Sequence, residues 1–305
     1  MPVVGIFGPT ASGKTDVAEA LAARVDSDLI SADAMQVYRG LPILTNQSER
    51  PTALVAIKEL DEEMSVGEYQ GLAHGAIDHS IGRGRLPIVV GGTGLYLRAA
   101  LAGLVLPPAP EPGARERFDG IYERVGPEAA HELLAERDPD AAARIHPNDR
   151  RRVVRALELA EVGESLAPRE DTLWGEGYRH PTVVFGLDVP RDVLDERIRR
   201  RTERMLARGV EEEVRSALAG PISRTASAIH GLRDFADLPR DEAAAVYDAR
   251  VRRYASYQRK WLRRIPGVVI IDADRPPTEV ADELLQLARA RQRLPGDGRF
   301  HDGQT

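Results

Sequence analysis

The residues Gly8–Thr15, with the sequence GPTASGKT, match the G-x-x-x-x-G-K-[ST] spacing of a phosphate-binding loop. The apolar run Val3–Phe7 precedes them and a helical pattern follows from Val17, so both flanks fit this motif. In such a loop, glycines let backbone N–H groups converge on a phosphate at a helix N-terminus. The Lys14 ammonium then supplies a point charge, and the Thr15 hydroxyl can bind Mg²⁺. The sequence therefore predicts a strand, a phosphate-binding loop and a helix.

A carboxylate ends the second apolar run of the chain, residues 28–33. Ligands of open α/β sheets bind at the carboxyl ends of strands, so Asp33 is expected to face the same crevice as the phosphate loop. There it could act as a general base. It could equally cap the next helix or bind Mg²⁺ through water. The residues alone leave these roles open.

A second glycine turn follows the apolar run of residues 85–90, with glycines at positions 91, 92 and 94. Such glycines let the backbone approach another group closely, and the Thr93 hydroxyl could then reach a ligand. A tight strand-to-helix turn without any ligand would need the same glycines. Both interpretations fit the sequence.

Five apolar runs alternate with helical patterns, which predicts an α/β fold with a doubly wound, mostly parallel sheet. The predicted strands are residues 3–7, 28–33, 85–90, 182–189 and 267–272. The phosphate loop would follow the first of them.

A dense proline and glycine segment, Pro107–Gly113, marks the clearest boundary in the chain. Residues 114–163 then show helical spacing only, and an apolar strand returns at Thr182. We expect an α/β core formed by residues 1–107 and 178–291, and a helical insertion at residues 108–177. The polar residues 292–305 are expected to form a disordered tail.

Composition narrows the class of protein. The 305 residues carry a formal charge of -6, which argues against a general nucleic-acid coat but allows a local basic groove. The absence of cysteine excludes disulfides and thiolate metal sites. No apolar run approaches the ~18 residues of a membrane span. We expect a soluble cytoplasmic monomer without membrane contact.

Two helical segments are rich in basic residues. A turn ending at Asp149 predicts the start of a helix that carries four arginines within residues 150–155, and these are either solvated or in contact with phosphate. Residues 250–264 contain seven basic residues and no acid, interleaved with Tyr254, Tyr257 and Trp261. Such aromatic residues either pack in the core or stack on the bases of a single-stranded RNA loop.

Several of these segments together resemble the bacterial tRNA dimethylallyltransferases, also called tRNA isopentenyltransferases. The resemblance covers most of residues 3–265. It is carried by the segments GPTASGKT (8–15), SADAMQVYRG (31–40), LPIVVGGTGLYL (86–97), IHPND (145–149), RVVRALE (152–158) and RIRRRTERML (197–206). The resemblance implies a P-loop NTPase-like sheet with a helical insertion domain that binds tRNA. It also implies transfer of the dimethylallyl group of dimethylallyl diphosphate to N6 of the adenine next to the anticodon, with Mg²⁺ and release of pyrophosphate.

The resemblance assigns expected roles to individual residues. The diphosphate would contact Gly8, Thr10, Ala11, Ser12, Gly13, Lys14 and Thr15. Lys14, Arg201 and Mg²⁺ held by Thr15 would neutralise the departing pyrophosphate. Asp33 would accept the proton of the adenine N6 amine. The anticodon stem-loop of tRNA would contact Asp33, Ala34, Met35, Gln36, Thr93, Arg151, Arg152 and Arg155.

Other functions remain compatible with parts of the sequence. The same chemistry could act on a free adenine nucleotide, although such a small acceptor requires neither the insertion nor the basic helix. A P-loop kinase could use Asp33 to activate a hydroxyl toward ATP. A non-catalytic RNA-binding protein would leave Asp33, Lys14 and Thr15 without a purpose.

Overall fold

A computed structural model describes residues 2–167, 173, 175 and 177–291. Its described part contains one six-stranded sheet in which every paired strand is parallel. The strands are β1 Val3–Phe7, β2 Ser27–Ser31, β3 Thr52–Ala53, β4 Leu86–Gly91, β5 Thr182–Asp188 and β6 Val269–Asp272. All five predicted strands are present, and β3 is an additional short edge strand.

The order of the strands across the sheet is β3-β2-β4-β1-β5-β6. Phe7 at the end of β1 pairs with Gly91 at the end of β4, and Ser31 at the end of β2 pairs with Val90. The carboxyl ends of β2, β4 and β1 are therefore neighbours at one edge of the sheet. The segment containing Asp33, the glycine turn and the phosphate loop leave the sheet there side by side.

Strand β1 lies inside the sheet, and helices cover it. All five residues of β1 are buried, as expected for a parallel strand that helices cover on both faces. The helices before the insertion are α1 Lys14–Ala22, α2 Val66–Gly82 and α3 Gly94–Leu101. Those after it are α8 Arg191–Ala207, α9 Val210–Leu218, α10 Arg224–Ser227, α11 Asp234–Asp237, α12 Arg240–Leu262 and α13 Pro277–Ala290. The prediction of a doubly wound, parallel α/β sheet is confirmed.

The described residues form two compact units: those up to Leu104 together with those from Leu173, and those between Val105 and Ala167. The second unit is helical, with α4 Ala114–Val125, α5 Pro127–Arg137, α6 Pro139–Ala142 and α7 Arg150–Glu161. It has its own apolar core around Phe118, Leu134 and Leu157. The predicted disordered tail at residues 292–305 lies outside the described residues.

No helix in the described part of the chain is both long and apolar enough to cross a bilayer.

Candidate active site

The loop between β1 and α1 presents unpaired donors. Gly13, which precedes the first turn of α1, has φ 88° and ψ 15°, a left-handed conformation that favours glycine. No side chain caps this helix end, so its first N–H groups are available to an anion. The Ser12 hydroxyl is buried and has no hydrogen-bond partner among the described residues. The loop is therefore built like an anion site.

Lys14 is held inside this loop. Its Nζ donates a hydrogen bond of 2.8 Å to the Pro9 carbonyl. Desolvation by burial lowers the pKa of Lys14 to about 8; the Asp33 carboxylate opposes this shift, and Arg201 adds to it. Lys14, Asp33 and Arg201, three predicted catalytic residues, thus lie within electrostatic reach of one another.

Asp33 lies two residues beyond the end of β2. One carboxylate oxygen accepts a hydrogen bond of 2.9 Å from the Met35 N–H, which fixes the side chain in a local turn. The following residues form turns and no helix, so Asp33 does not cap a helix. Asp33 forms no ion pair with any described residue, and the general-base prediction is compatible with this geometry.

The segment after Asp33 is fixed by side chains. Thr93 accepts a hydrogen bond of 3.0 Å at Oγ1 from the Ala34 N–H. The Gln36 amide accepts from the Ser31 hydroxyl at 2.9 Å and donates to the Asn46 carbonyl at 3.1 Å. Both ends of the Gln36 amide are therefore already used within the protein.

The glycines of the second turn are explained by contacts within the protein. A Cβ atom at Gly91 would lie 2.1 Å from the Ala32 carbonyl oxygen, and one at Gly94 would lie 2.3 Å from the Trp261 ring. A Cβ atom at Gly92 would lie 2.3 Å from Gln258 Nε2. The tight turn without a ligand, one of the two interpretations of this sequence, accounts for all three positions.

A cleft of about 410 Å³ opens at the carboxyl edge of the sheet. Most of the residues predicted to contact the diphosphate or the adenine line this cleft: Thr10, Ala11, Ser12, Gly13, Lys14, Thr15, Asp33, Met35, Gln36 and Arg201. Gly8, Ala34 and Thr93 are not part of this lining. Gly8 packs against Leu187 of β5, and Thr93 acts by holding Ala34.

Five arginines join Lys14 in this cleft. Three of them are paired with carboxylates, namely Arg197 with Asp274, Arg200 with Glu196 and Arg275 with Glu283. Arg201 and Arg204 form no ion pair with a described residue. Arg201 donates a long hydrogen bond of 3.4 Å to the Leu44 carbonyl, and its buried Nε has no hydrogen-bond partner within the described ranges. Arg201 is thus the half-buried arginine best placed to accept an anionic ligand.

Part of the cleft lining is apolar or aromatic. This part includes Leu44, His230, Tyr247, Val251 and Tyr254. The His230 and Tyr254 rings meet edge to face, with centroids 4.7 Å apart. Burial lowers the pKa of His230, and the nearby Arg250 guanidinium lowers it further, so the imidazole is neutral at pH 7. These apolar and aromatic side chains suit a hydrocarbon group.

Comparisons with known proteins identify the family. The model of the IPP transferase family matches residues 36–265, and that of isopentenyl transferases matches residues 1–56. A tRNA dimethylallyltransferase of Kineococcus radiotolerans is 39% identical over 308 residues, which cover 94% of this chain and 96% of that protein. The chain belongs to the IPP transferase family. The resemblance drawn from the sequence motifs is confirmed.

Solved structures of the IPP transferase family agree with this fold. The crystal structure of the full-length tRNA isopentenylpyrophosphate transferase of Bacillus halodurans is 32% identical, with a TM-score of 0.67, and covers 96% of this chain and 98% of its own. A eukaryotic dimethylallyltransferase acting on tRNA has a TM-score of 0.78, covering 98% of this chain and 81% of its own. At 24% identity, that second likeness concerns the fold alone.

The three predicted tRNA-binding arginines of the insertion differ in their surroundings in this IPP transferase. Arg151 and Arg152 are exposed on α7, and Arg152 reaches Asp149 only at 3.6 Å. Arg155 is half-buried and pairs at 2.8 Å with Glu158, whose side chain is fully buried. Arg151 and Arg152 can meet a phosphate directly, whereas Arg155 is occupied within its own unit.

Sequence reasoning missed His230 and Gln258 as residues of the site. His230 stands in a loop without any motif, and no local pattern indicates that it lines the cleft. Tyr254, Tyr257 and Trp261 recur at helical spacing, but the structure places these three side chains in different surroundings. Tyr254 lines the cleft, Tyr257 is exposed and Trp261 packs against Gly94.

Proposed function

We propose that this IPP transferase moves the dimethylallyl group of dimethylallyl diphosphate to N6 of the adenine next to the anticodon in tRNA and releases pyrophosphate. The observation that carries the proposal is a single cleft with three chemically different parts. The phosphate loop and Arg201 suit a diphosphate, the apolar and aromatic lining residues suit a branched hydrocarbon, and the Asp33 carboxylate in the same lining could accept the proton of an attacking amine. The names of the relatives, which act on tRNA, support RNA as the acceptor.

The reaction needs one bond formed and one broken. The N6 lone pair of adenine attacks C1 of the dimethylallyl group while the allylic C–O bond breaks, and pyrophosphate leaves with that electron pair. The attacking nitrogen then carries an extra proton, which Asp33 accepts. Asp33 forms no ion pair with any described residue, so its carboxylate is free to act as this base.

Charge develops on the bridging oxygen as the C–O bond breaks. Lys14, the N–H groups at the start of α1 and the Arg201 guanidinium lie around the phosphate loop and would stabilise that charge. Groups fixed around the position of the leaving group stabilise its charge without reorganising during the reaction. We propose that Lys14 and Arg201 act on the leaving group and not on the adenine.

The residues present fit a magnesium ion that is bound mainly through the substrate. No group of three or more His, Asp or Glu side chains that could hold a metal occurs in the described ranges. Mg²⁺ commonly takes most of its ligands from phosphates and water, and the Thr15 hydroxyl in the cleft can supply one more. We propose Thr15 as that protein ligand. A bound Mg²⁺ would neutralise part of the diphosphate charge.

The acceptor base must leave its stack before Asp33 can reach N6. Met35 lines the cleft beside Asp33 and offers an apolar contact to a flipped base. Arg151 and Arg152, exposed on the insertion, would contact tRNA phosphates. A tRNA acceptor also implies that the protein works in the cytoplasm.

The proposal is tested by supplying labelled dimethylallyl diphosphate and Mg²⁺ with different acceptors. One arm contains an anticodon stem-loop with adenine next to the anticodon, and its control has guanine at that position. Two further arms contain AMP, or ATP without RNA. We expect label only on the adenine stem-loop, at N6 after nuclease digestion.

Two results would contradict the proposal. Label on AMP and none on RNA would assign the chemistry to a free adenine nucleotide. ATP turnover without transfer of label would exclude prenyl transfer altogether.

A further inference from the structure

Gln258 of α12 makes a buried connection between two loops of the site. Gln258 is only 2% exposed. Oε1 accepts hydrogen bonds from the Thr10 N–H at 2.8 Å and from the Thr10 hydroxyl at 3.3 Å. Nε2 donates to the Gly92 carbonyl at 2.9 Å. One amide thus joins the phosphate loop to the second glycine turn.

The chemistry of the two partners requires an amide at this position. The Thr10 N–H can only donate and the Gly92 carbonyl can only accept. A carboxylate could accept from Thr10 but would repel the Gly92 carbonyl, and an apolar side chain would satisfy neither group. Burial makes each unsatisfied group costly. The connection is therefore specific to glutamine.

The connection continues to the residues on both sides of Asp33. Thr93, which follows Gly92, donates its N–H to the Ala32 carbonyl at 3.2 Å and accepts from the Ala34 N–H at 3.0 Å. Asp33 lies between Ala32 and Ala34. A short series of hydrogen bonds thus runs from the phosphate loop to the peptide groups that hold the proposed base.

We propose that Gln258 is a positioning residue that sets the distance between the phosphate loop and Asp33. This proposal rests on the proposed function, in which the diphosphate of the donor lies in the loop and the acceptor amine lies at Asp33. Group transfer requires the reacting carbon and nitrogen to be aligned, and a displacement of about 1 Å costs about 100-fold in rate. Gln258 is not part of the cleft lining and acts through Thr10 and Gly92.

Gln258→Met tests the proposal because methionine keeps the length of the side chain and loses all three hydrogen bonds. We expect kcat for prenyl transfer to fall about 100-fold, while the affinity for inorganic pyrophosphate falls much less. Gln286→Met, at an exposed glutamine of α13, is the matched control and should keep the wild-type kcat. An unchanged kcat in Gln258→Met, or a kcat loss explained entirely by a smaller folded fraction, would overturn the proposal.

A double-mutant cycle with Thr93 separates positioning from general destabilisation. Thr93→Val removes the acceptor for the Ala34 N–H, and Thr93→Ser keeps it. If both residues hold Asp33 through one connection, the double variant Gln258→Met with Thr93→Val should be about as slow as the slower of the two single variants. The single variant Thr93→Ser should have most of the wild-type rate, in contrast to Thr93→Val. If the fold-decrease in kcat of the double variant equals the product of the two single decreases, the two residues act independently and the connection is contradicted.

Hydrogen exchange distinguishes failure of this proposal from failure of the proposed function. In ligand-free Gln258→Met, the amides of residues 10 and 34 should exchange faster than in wild type, whatever reaction the protein catalyses. If the wild type shows no prenyl transfer but Gln258→Met still shows faster exchange at these two amides, the proposed function is rejected and the connection through Gln258 stands. Unchanged exchange at both amides would reject the connection itself.

Discussion

Replacing Lys14 by methionine should stabilise the ligand-free protein and abolish its affinity for diphosphate. Desolvation lowers the pKa of Lys14 from 10.5 to about 8, so keeping the ammonium charged in the folded state at pH 7 costs about 3 kcal/mol. Methionine is flexible, uncharged and of similar length, and it removes this cost. It also removes the hydrogen bond to the Pro9 carbonyl, worth about 1 kcal/mol. We expect a net gain of about 2 kcal/mol in the free energy of unfolding.

The pH dependence of this gain has a definite sign. Below pH 8 Lys14 is protonated in both the folded and the unfolded chain, so the full cost is present. Between pH 8 and 10.5 the folded chain loses this proton first. The unfolded chain then binds more protons, and the stability of the wild type rises with pH. The advantage of Lys14→Met should therefore shrink across this window.

Urea denaturation of both proteins between pH 7 and pH 10 measures this difference, and calorimetry with inorganic pyrophosphate measures the loss of binding. Lys58→Met is the control, because Lys58 is paired with Glu62 and Glu68 and its pKa is raised. That variant should lose stability and keep its affinity for pyrophosphate. If Lys14→Met is less stable than the wild type, or if the difference in their free energies of unfolding does not change with pH, the conclusion that burial of the Lys14 ammonium costs stability is wrong.

Four further variants test the roles of other residues. Asp33→Asn should lower kcat about 10²- to 10⁴-fold with unchanged pyrophosphate and RNA binding in calorimetry and filter assays, and normal turnover would exclude Asp33 as the base. Arg201→Ala should weaken pyrophosphate binding about 10- to 100-fold because a charge-assisted hydrogen bond is lost; calorimetry showing wild-type affinity would place the anion elsewhere. Arg152→Ala should weaken stem-loop binding and reduce the slope of log K against log salt concentration by about one. Arg155→Ala should mainly destabilise the insertion, because Glu158 is then buried without one of its partners. The reverse assignment in salt titrations and thermal unfolding would contradict the exposures of these two arginines.

The parts of the site that the sequence predicted are those encoded locally. The phosphate loop depends on one short motif and its flanks, and each of the five longer strands has an apolar centre of two or more residues, so both could be predicted. The two-residue strand β3 at Thr52–Ala53 could not, because it is too short for a periodic pattern and follows Pro51. It exists because residues of β2 pair with it.

Contacts between distant segments were not predictable from local patterns. Gln258 lies 248 residues from Thr10, and nothing in the sequence of α12 indicates that its amide reaches the phosphate loop. The sequence shows the glycines at positions 91, 92 and 94, but the groups that approach them belong to Ala32, Gln258 and Trp261 and are brought there only by the fold.

The arginines of α7 show an intermediate case. Arg155 precedes Glu158 by three residues, a spacing at which two helical side chains meet. The sequence therefore contained a signal that this arginine is paired. Burial of Glu158 depends on Arg115 of α4 as well, and that contact is long-range.

A single-turnover reaction with excess enzyme tests most directly whether the phosphate loop and Asp33 act on one donor and one RNA adenine. The reaction contains labelled dimethylallyl diphosphate, Mg²⁺ and the adenine stem-loop, and pyrophosphate and N6-dimethylallyladenosine are quantified at each time point. We predict that both products form at the same rate and in equal amounts, and that both form about 10²- to 10⁴-fold more slowly with Asp33→Asn. Pyrophosphate released without a matching amount of modified adenosine in the RNA would contradict the proposed transfer.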